Sequence, residues 1–180
     1  MNGPKFWQKL LDGSPKGAVL MGGAIVDYVV GVEPKDYDIF YTYKPGLIVP
    51  KDWQLEDVDF NDADWLAKHN EEYLQGIDQN GNKPISSVIE YLVDGQRVQM
   101  VGVNYANPRK HFLNFDHSLT LAYFSDRGLF VHRKVLESTD SRTITYVSRN
   151  KDPKARAKSL ARAQKKAARY GGDWKFEGFE

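Results

Sequence analysis

The chain has no cysteine among its 180 residues, which excludes a disulfide framework and any thiolate-bound metal. Its four histidines, His69, His111, His117 and His132, show none of the spacings of zinc ligands. No apolar run approaches the roughly 18 residues needed to cross a bilayer, and the N-terminus has no signal-peptide pattern. A soluble, cytoplasmic protein with no membrane partner is expected. There is also no internal repeat and no low-complexity linker. What the chain does have is apolar content of 41% and aromatic content of 13%, enough for a packed core and too much for a disordered chain.

Acidic residues are scarce in one place. Eight Lys/Arg but a single acid, Asp152, lie between Lys151 and Arg169, which leaves 17 basic and 23 acidic residues for the rest of the chain. The net charge of +1 therefore conceals an acidic body joined to a basic C-terminal segment.

Apolar periodicity and turn residues divide the chain into elements. Residues 4–11 read as a helix closed by Asp12-Gly13, and residues 18–21 as a short strand broken by Gly22-Gly23. Residues 25–30 have helical spacing, and residues 37–43 alternate as a strand. Residues 63–74 are expected to be helical, and Asn80-Gly81 is a turn signal. Two apolar runs, 85–93 and 97–103, meet at Asp94-Gly95, the signature of a hairpin. Residues 108–113 suggest a short helix. Residues 119–124 and 129–132 flank Asp126-Arg127-Gly128 as a hairpin or a helix-to-strand step, and residues 143–147 are a further strand. Pro153–Tyr170 is the clearest helix, rich in Ala, Lys and Arg and stopped by Gly171-Gly172. The pattern implies one α+β domain with a C-terminal helical extension.

The chemistry is concentrated in the segment strand, Gly22-Gly23, helix, loop, Lys35-Asp36-Tyr37-Asp38. Residues i and i+2 of a strand share a face, so Asp36 and Asp38 stand side by side while Tyr37 and Ile39 point into the core. Adjacent carboxylates repel unless a cation lies between them, and rigidly held oxygens suit Mg²⁺, or Mn²⁺ in its place. Glycines at 22 and 23 let the backbone approach a polyphosphate, with free N–H groups at the start of the following helix. Lys35 is placed either to contact phosphate or to balance its acidic neighbours.

Taken in order, residues 20–40 resemble the signature of CCA-adding enzymes and bacterial poly(A) polymerases, of the polymerase-β-type nucleotidyltransferase superfamily. Their pattern runs Gly-Gly-Ala-Val-Arg-Asp, three apolar residues, Gly, a Pro/Lys linker and Asp-x-Asp-hydrophobic. The resemblance implies a nucleotidyltransferase-like mixed or antiparallel sheet flanked by helices. It also implies transfer of a nucleotide from an NTP to an acceptor hydroxyl, most naturally an RNA 3′ end such as that of tRNA, with release of pyrophosphate. Asp36 and Asp38 would hold the metal, and Gly22, Gly23, Asp27 and Lys35 would bind the nucleotide. The family Arg is Val26 here, whereas the Asp survives as Asp27. In the family that helix helps organise the phosphate and ribose site, so the departure bears on NTP affinity or base choice. A surface or capping carboxylate is the plainer alternative for Asp27.

Residues 115–123 are weakly similar to the family segment that contacts the NTP sugar. They look closer to the Phe-Asp-x-Ser/Thr version of small phage- and virus-associated nucleotidyltransferase-like proteins. The superfamily places a third carboxylate on a neighbouring strand, where this chain has Gln99, an amide that cannot serve as a base. Asp116 is the best substitute, with Glu90 behind it; an N-capping role is the alternative for Asp116. Without either carboxylate, the resemblance implies a catalytically weakened nucleotide- or RNA-binding module.

On this reading residues 1–150 form the catalytic domain, and residues 151–180 a basic extension and aromatic tail packed on it. That length leaves no room for the neck, body and tail helices of full CCA-adding enzymes, which makes a protein hydroxyl or a small molecule an alternative acceptor. Lys154, Lys158, Arg162, Lys165 and Arg169 share one helix face suited to nucleic-acid phosphates. Ala157, Leu160, Ala161, Gln164 and Ala168 form the stripe expected to pack on the body. Trp174 and Phe176 either stack on a base or anchor the segment against the core. His117 and Ser118 show no catalytic-triad logic.

Overall fold

The computed structural model describes residues 2–56 and 83–180; the helix expected at 63–74 and the Asn80-Gly81 turn lie outside them. Seven strands form one mixed sheet in the order β3-β4-β5-β2-β1-β6-β7. They are β1 (Val19–Met21), β2 (Asp36–Thr42), β3 (Gln54–Leu55), β4 (Ile85–Val93), β5 (Gln96–Val103), β6 (Ala122–Ser125) and β7 (Gly128–Val131). Only β2 and β5 are parallel neighbours; the other pairs are antiparallel. A separate parallel pair joins β8 (Thr143–Thr145) to β9 (Lys175–Glu177). The helices are α1 (Pro4–Asp12), α2 (Gly23–Val29), α3 (Arg133–Ser141) and α4 (Pro153–Tyr170).

The local signals explain most of these elements. Pro4 opens α1, whose Phe6, Trp7 and Leu10 are buried. The β4–β5 turn has positive φ at both Asp94 (50°) and Gly95 (76°), the backbone that a two-residue hairpin of this hand demands. Residues 108–114 form a 3-10 helix capped by Asn107, which accepts from the Arg109 N–H. Of the two readings open for residues 119–132, a hairpin of β6 and β7 is what forms, preceded by a 3-10 turn at Ser118–Thr120.

The strand pleat sorts the core into two layers. Tyr37, Ile39 and Tyr41 of β2 belong to the larger one, with Phe6, Trp7 and Leu10 of α1, Ile25 and Val26 of α2, and Ala163 and Ala167 of α4. The Phe6 and Tyr37 rings meet edge to face at 5.2 Å. On the opposite layer Phe40 packs with Val19, Met21, Val101 and Val103 beneath Phe112 and Phe115. His111 stacks on Phe40 at 4.9 Å.

The helix α4 docks by a different face from the one the sequence suggests. Ser159, Ala163, Lys166 and Ala167 are its buried residues, with Tyr170 partly buried beyond them, a spacing of 4, 7, 8 and 11 from the first. Of the expected stripe only Leu160 packs against the core, whereas Ala157, Ala161, Gln164 and Ala168 are exposed. The reason is that the docking face is held by polar bonds to the body, so it is not the most apolar stripe. The aromatic end is anchored rather than free. Trp174 donates to the Gly171 carbonyl at 3.0 Å, Phe176 packs on the core through β9, and Phe179 lies 5.5 Å from the Tyr146 ring.

Candidate active site

The site is built where β1 hands over to α2 beside β2. Antiparallel register sets Leu20 opposite Ile39 and Val19 opposite Phe40, so the chain leaves β1 at the end of β2 that bears Asp36 and Asp38. Both carboxylates are half-buried, while Tyr37 and Ile39 between and after them are fully buried. This is the side-by-side placement expected of alternate strand positions.

Gly22 has φ 102° and ψ −146°, a conformation that essentially only glycine adopts. An added Cβ there would meet the Phe115 ring no closer than 3.7 Å, an ordinary contact. Gly22→Ala should therefore cost on the order of 1–3 kcal/mol through backbone strain alone, read as a lower midpoint in urea unfolding. An unchanged midpoint would show that the turn relaxes.

At Gly23 the space a Cβ would take is occupied by the Lys166 ammonium, 2.7 Å away. Lys166 Nζ donates to the Gly23 carbonyl at 3.2 Å and pairs with Asp27 Oδ1 at 2.7 Å. Asp27 is itself buried, at 3% exposure. Its Oδ1 also accepts from the Tyr170 hydroxyl at 2.5 Å, and its Oδ2 pairs with Arg169 at 3.0 Å. Arg169 further donates to the Glu33 carbonyl at 2.8 Å. Both oxygens of Asp27 are thus engaged by α4, so it is neither a surface carboxylate nor a helix cap. Burial and the neighbouring Asp27 charge push the Tyr170 hydroxyl well above its ordinary pKa, so that it remains a donor. Burial lowers the Lys166 pKa, and Asp27 opposes that shift.

The neighbouring strands complete the picture. Parallel register puts Gln99 beside Asp38, and antiparallel register puts Glu90 beside Gln99. The buried Gln99 amide donates to Glu90 Oε1 at 2.7 Å. An amide therefore stands next to Asp38, as the resemblance implied, with Glu90 one strand further away. Asp116 is drawn elsewhere: its carboxylate pairs with Arg162 of α4, and its carbonyl accepts from Val147 at 2.8 Å. It does not cap the following 3-10 turn, where His117 occupies the cap position. Among the described residues no group of three or more His, Asp or Glu side chains is arranged to hold a metal. The donors present are two hard, anionic oxygen ligands on a rigid strand. That set fits Mg²⁺, which binds one or two carboxylates and fills its shell with water and substrate phosphate.

The five basic residues expected on one face are divided. Arg162 and Arg169 lie on its edge nearest the body and are spent on Asp116 and Asp27, whereas Lys154, Lys158 and Lys165 are exposed. Lys35 is exposed next to Asp36. Ser118 is structural: its hydroxyl accepts from Ser138 at 2.6 Å and from the Thr145 N–H at 3.0 Å. Lys166 is the residue that reading the sequence missed. The available signal was Asp27, a carboxylate in an otherwise apolar helix, which has to find a cation when buried.

His111 and His117 are both held neutral. Burial lowers His111 to about 4, and burial assisted by the Lys166 charge lowers His117 to about 3. Unfolded histidine titrates near 6.5, so between about pH 6.5 and 4 the unfolded chain binds protons that the folded chain refuses. Stability should fall with decreasing pH across that window, by up to about 1.4 kcal/mol per pH unit for each histidine. Denaturant titrations of wild type and His117→Gln from pH 7.5 to 4.5 check this, with a shallower decline expected in the variant.

No protein-family model matches the chain, and neither does any curated protein. Solved structures do. A tRNA-processing enzyme in an apo form aligns over 99% of this chain and 46% of its own length, with 12% identity and a TM-score of 0.55. A CCA-adding enzyme in complex with CTP aligns over 98% of this chain and 41% of its own, with 14% identity and a TM-score of 0.53. The Thermotoga maritima CCA-adding enzyme complexed with tRNA aligns over 98% and 40%, with 13% identity and a TM-score of 0.52. The fold is that of a nucleotidyltransferase-like head domain. The chain spans less than half the length of each of these structures, and identities this low establish the fold alone. No described helix is long and apolar enough to cross a membrane.

Proposed function

We propose that the chain is a divalent-metal-dependent nucleotidyltransferase that moves a nucleotide from an NTP to an acceptor hydroxyl, an RNA 3′ end being the favoured acceptor. The observation that carries this reading is the pairing of two half-buried carboxylates, Asp36 and Asp38, with the Gly22-Gly23 turn at the same end of the sheet. Asp36 and Asp38 would hold the metal, which supplies charge neutralisation at the phosphates and activation of the attacking hydroxyl. The hydroxyl oxygen forms a bond to the α-phosphorus as the bond to the bridging oxygen breaks. Pyrophosphate leaves with that electron pair, and the hydroxyl proton is released to water.

The protein's own part is positioning and electrostatics. The Gly22-Gly23 backbone admits the polyphosphate, and exposed Lys35 lies beside the carboxylates. Lys154, Lys158 and Lys165 offer charge to an RNA backbone. Asp116 enters as the anchor of Arg162 rather than as a third metal carboxylate, and Asp27 as the anchor of α4.

The Gln99–Glu90 bond favours a second reading, a nucleotide- or RNA-binding module of the same fold with little catalysis. Incubation with each α-labelled NTP, Mg²⁺ or Mn²⁺, and a panel of tRNA, protein and small-molecule acceptors separates the two. Label appearing in RNA supports the enzyme. Binding of NTP or RNA with no transfer to any acceptor supports the module, and absence of binding to both NTP and RNA overturns both.

A further inference from the structure

Resting on the nucleotidyltransferase reading, we propose that Lys166 receives the polyphosphate of the NTP at the Gly22-Gly23 turn, so that α4 is a wall of the nucleotide site. Position is the first argument. The ammonium lies 2.7 Å from the point where a Cβ on residue 23 would stand, so a glycine there is what admits it. Under the proposal a phosphate seated on this turn is a neighbour of Lys166, which is otherwise buried.

Charge is the second argument. Two cations, Lys166 and Arg169, pair with one carboxylate, Asp27. One carboxylate in direct contact with two cations leaves them able to attract a further anion, and a polyphosphate is such an anion. Asp36 lies within electrostatic reach of Lys166 as well, which ties this cation to the carboxylate pair.

Bonding capacity is the third. An ammonium has three donors, and the acceptors at hand among the described residues are Asp27 Oδ1 at 2.7 Å and the Gly23 carbonyl at 3.2 Å. The longer bond goes to a neutral carbonyl and can be exchanged for a phosphate oxygen while the ion pair persists. Finally, His117 is 3% exposed, lies within reach of the Lys166 charge, and its Nδ1 has no hydrogen-bond partner among the described residues. That ring nitrogen is a further polar atom with unused bonding capacity beside Lys166.

Calorimetric binding of inorganic tripolyphosphate and of ATP to the full chain tests the proposal without recourse to turnover. Wild type should bind both. Lys166→Met should weaken both by about tenfold to a hundredfold, the worth of one charge-assisted hydrogen bond, and Lys166→Arg should restore binding to within a few-fold. Equal binding by wild type and Lys166→Met, or ATP binding without tripolyphosphate binding, overturns the role of Lys166 and leaves the function standing. No binding of either probe to wild type overturns the function with it. Should Lys166→Met not fold, the side-chain ¹⁵Nζ resonance of Lys166 in wild type, assigned by its loss in Lys166→Arg, must shift on adding tripolyphosphate; a stationary resonance overturns the proposal.

Discussion

Asp38→Asn is expected to slow nucleotide transfer by on the order of a thousandfold or more while leaving the protein folded. The substitution keeps the shape of the side chain and removes its charge, and a lost metal carboxylate forfeits several kcal/mol of transition-state stabilisation at about 1.4 kcal/mol per factor of ten. On the two strands beyond β2, the described residues in register offer no free-standing substitute. Gln99, in register beside it, is a neutral amide, and Glu90 already accepts from that amide. The substitution is isosteric, so the chain should stay folded, which melting checks independently of activity. Single-turnover rates with α-labelled NTP, paired with melting in EDTA, read both. A rate within tenfold of wild type would remove Asp38 from the mechanism.

Asp27→Ala carries the largest expected loss of stability. It leaves Lys166 and Arg169 buried or half-buried without their anion, and takes the acceptor from the Tyr170 hydroxyl. Breaking a buried pair by removing one partner costs about 3–5 kcal/mol, which for a chain of this size corresponds to a melting point lower by roughly 6–20 °C. Replacing both partners tests the origin of the loss. Asp27→Leu combined with Lys166→Met should recover the part that comes from stranding Lys166, because an apolar pair does not carry desolvated charge, while Arg169 and Tyr170 still lack their acceptor. Simple additivity of the two single losses in a double-mutant cycle would show that these groups act independently.

What the sequence revealed and what it hid divide along a physical line. Gly22-Gly23, Asp36 and Asp38 were legible because their relation is local: the strand period fixes which side chains share a face, and a positive φ calls for glycine. The Asp94-Gly95 hairpin was legible for the same reason. The register that sets Gln99 beside Asp38 followed once β2 and β5 were paired. Lys166 was not legible, since it is one of eight basic residues in a single segment and nothing local separates a lysine facing the body from one facing water. The docking face of α4 was misread because alanine is a strong helix former at exposed positions too. Its real face carries a serine, a lysine and a tyrosine, and their partners lie on distant parts of the chain.

The Lys166–Gly23 contact joins positions 143 residues apart. Contacts so distant along the chain form late, because the entropy of closing the intervening loop is lost before they return any energy. During synthesis the glycine turn and the carboxylate strand emerge long before the helix that supplies the lysine. If the proposed function holds, a nascent chain halted before α4 would possess Asp36 and Asp38 and still lack the lysine proposed to grip a triphosphate, which would make nucleotide recognition one of the last properties acquired.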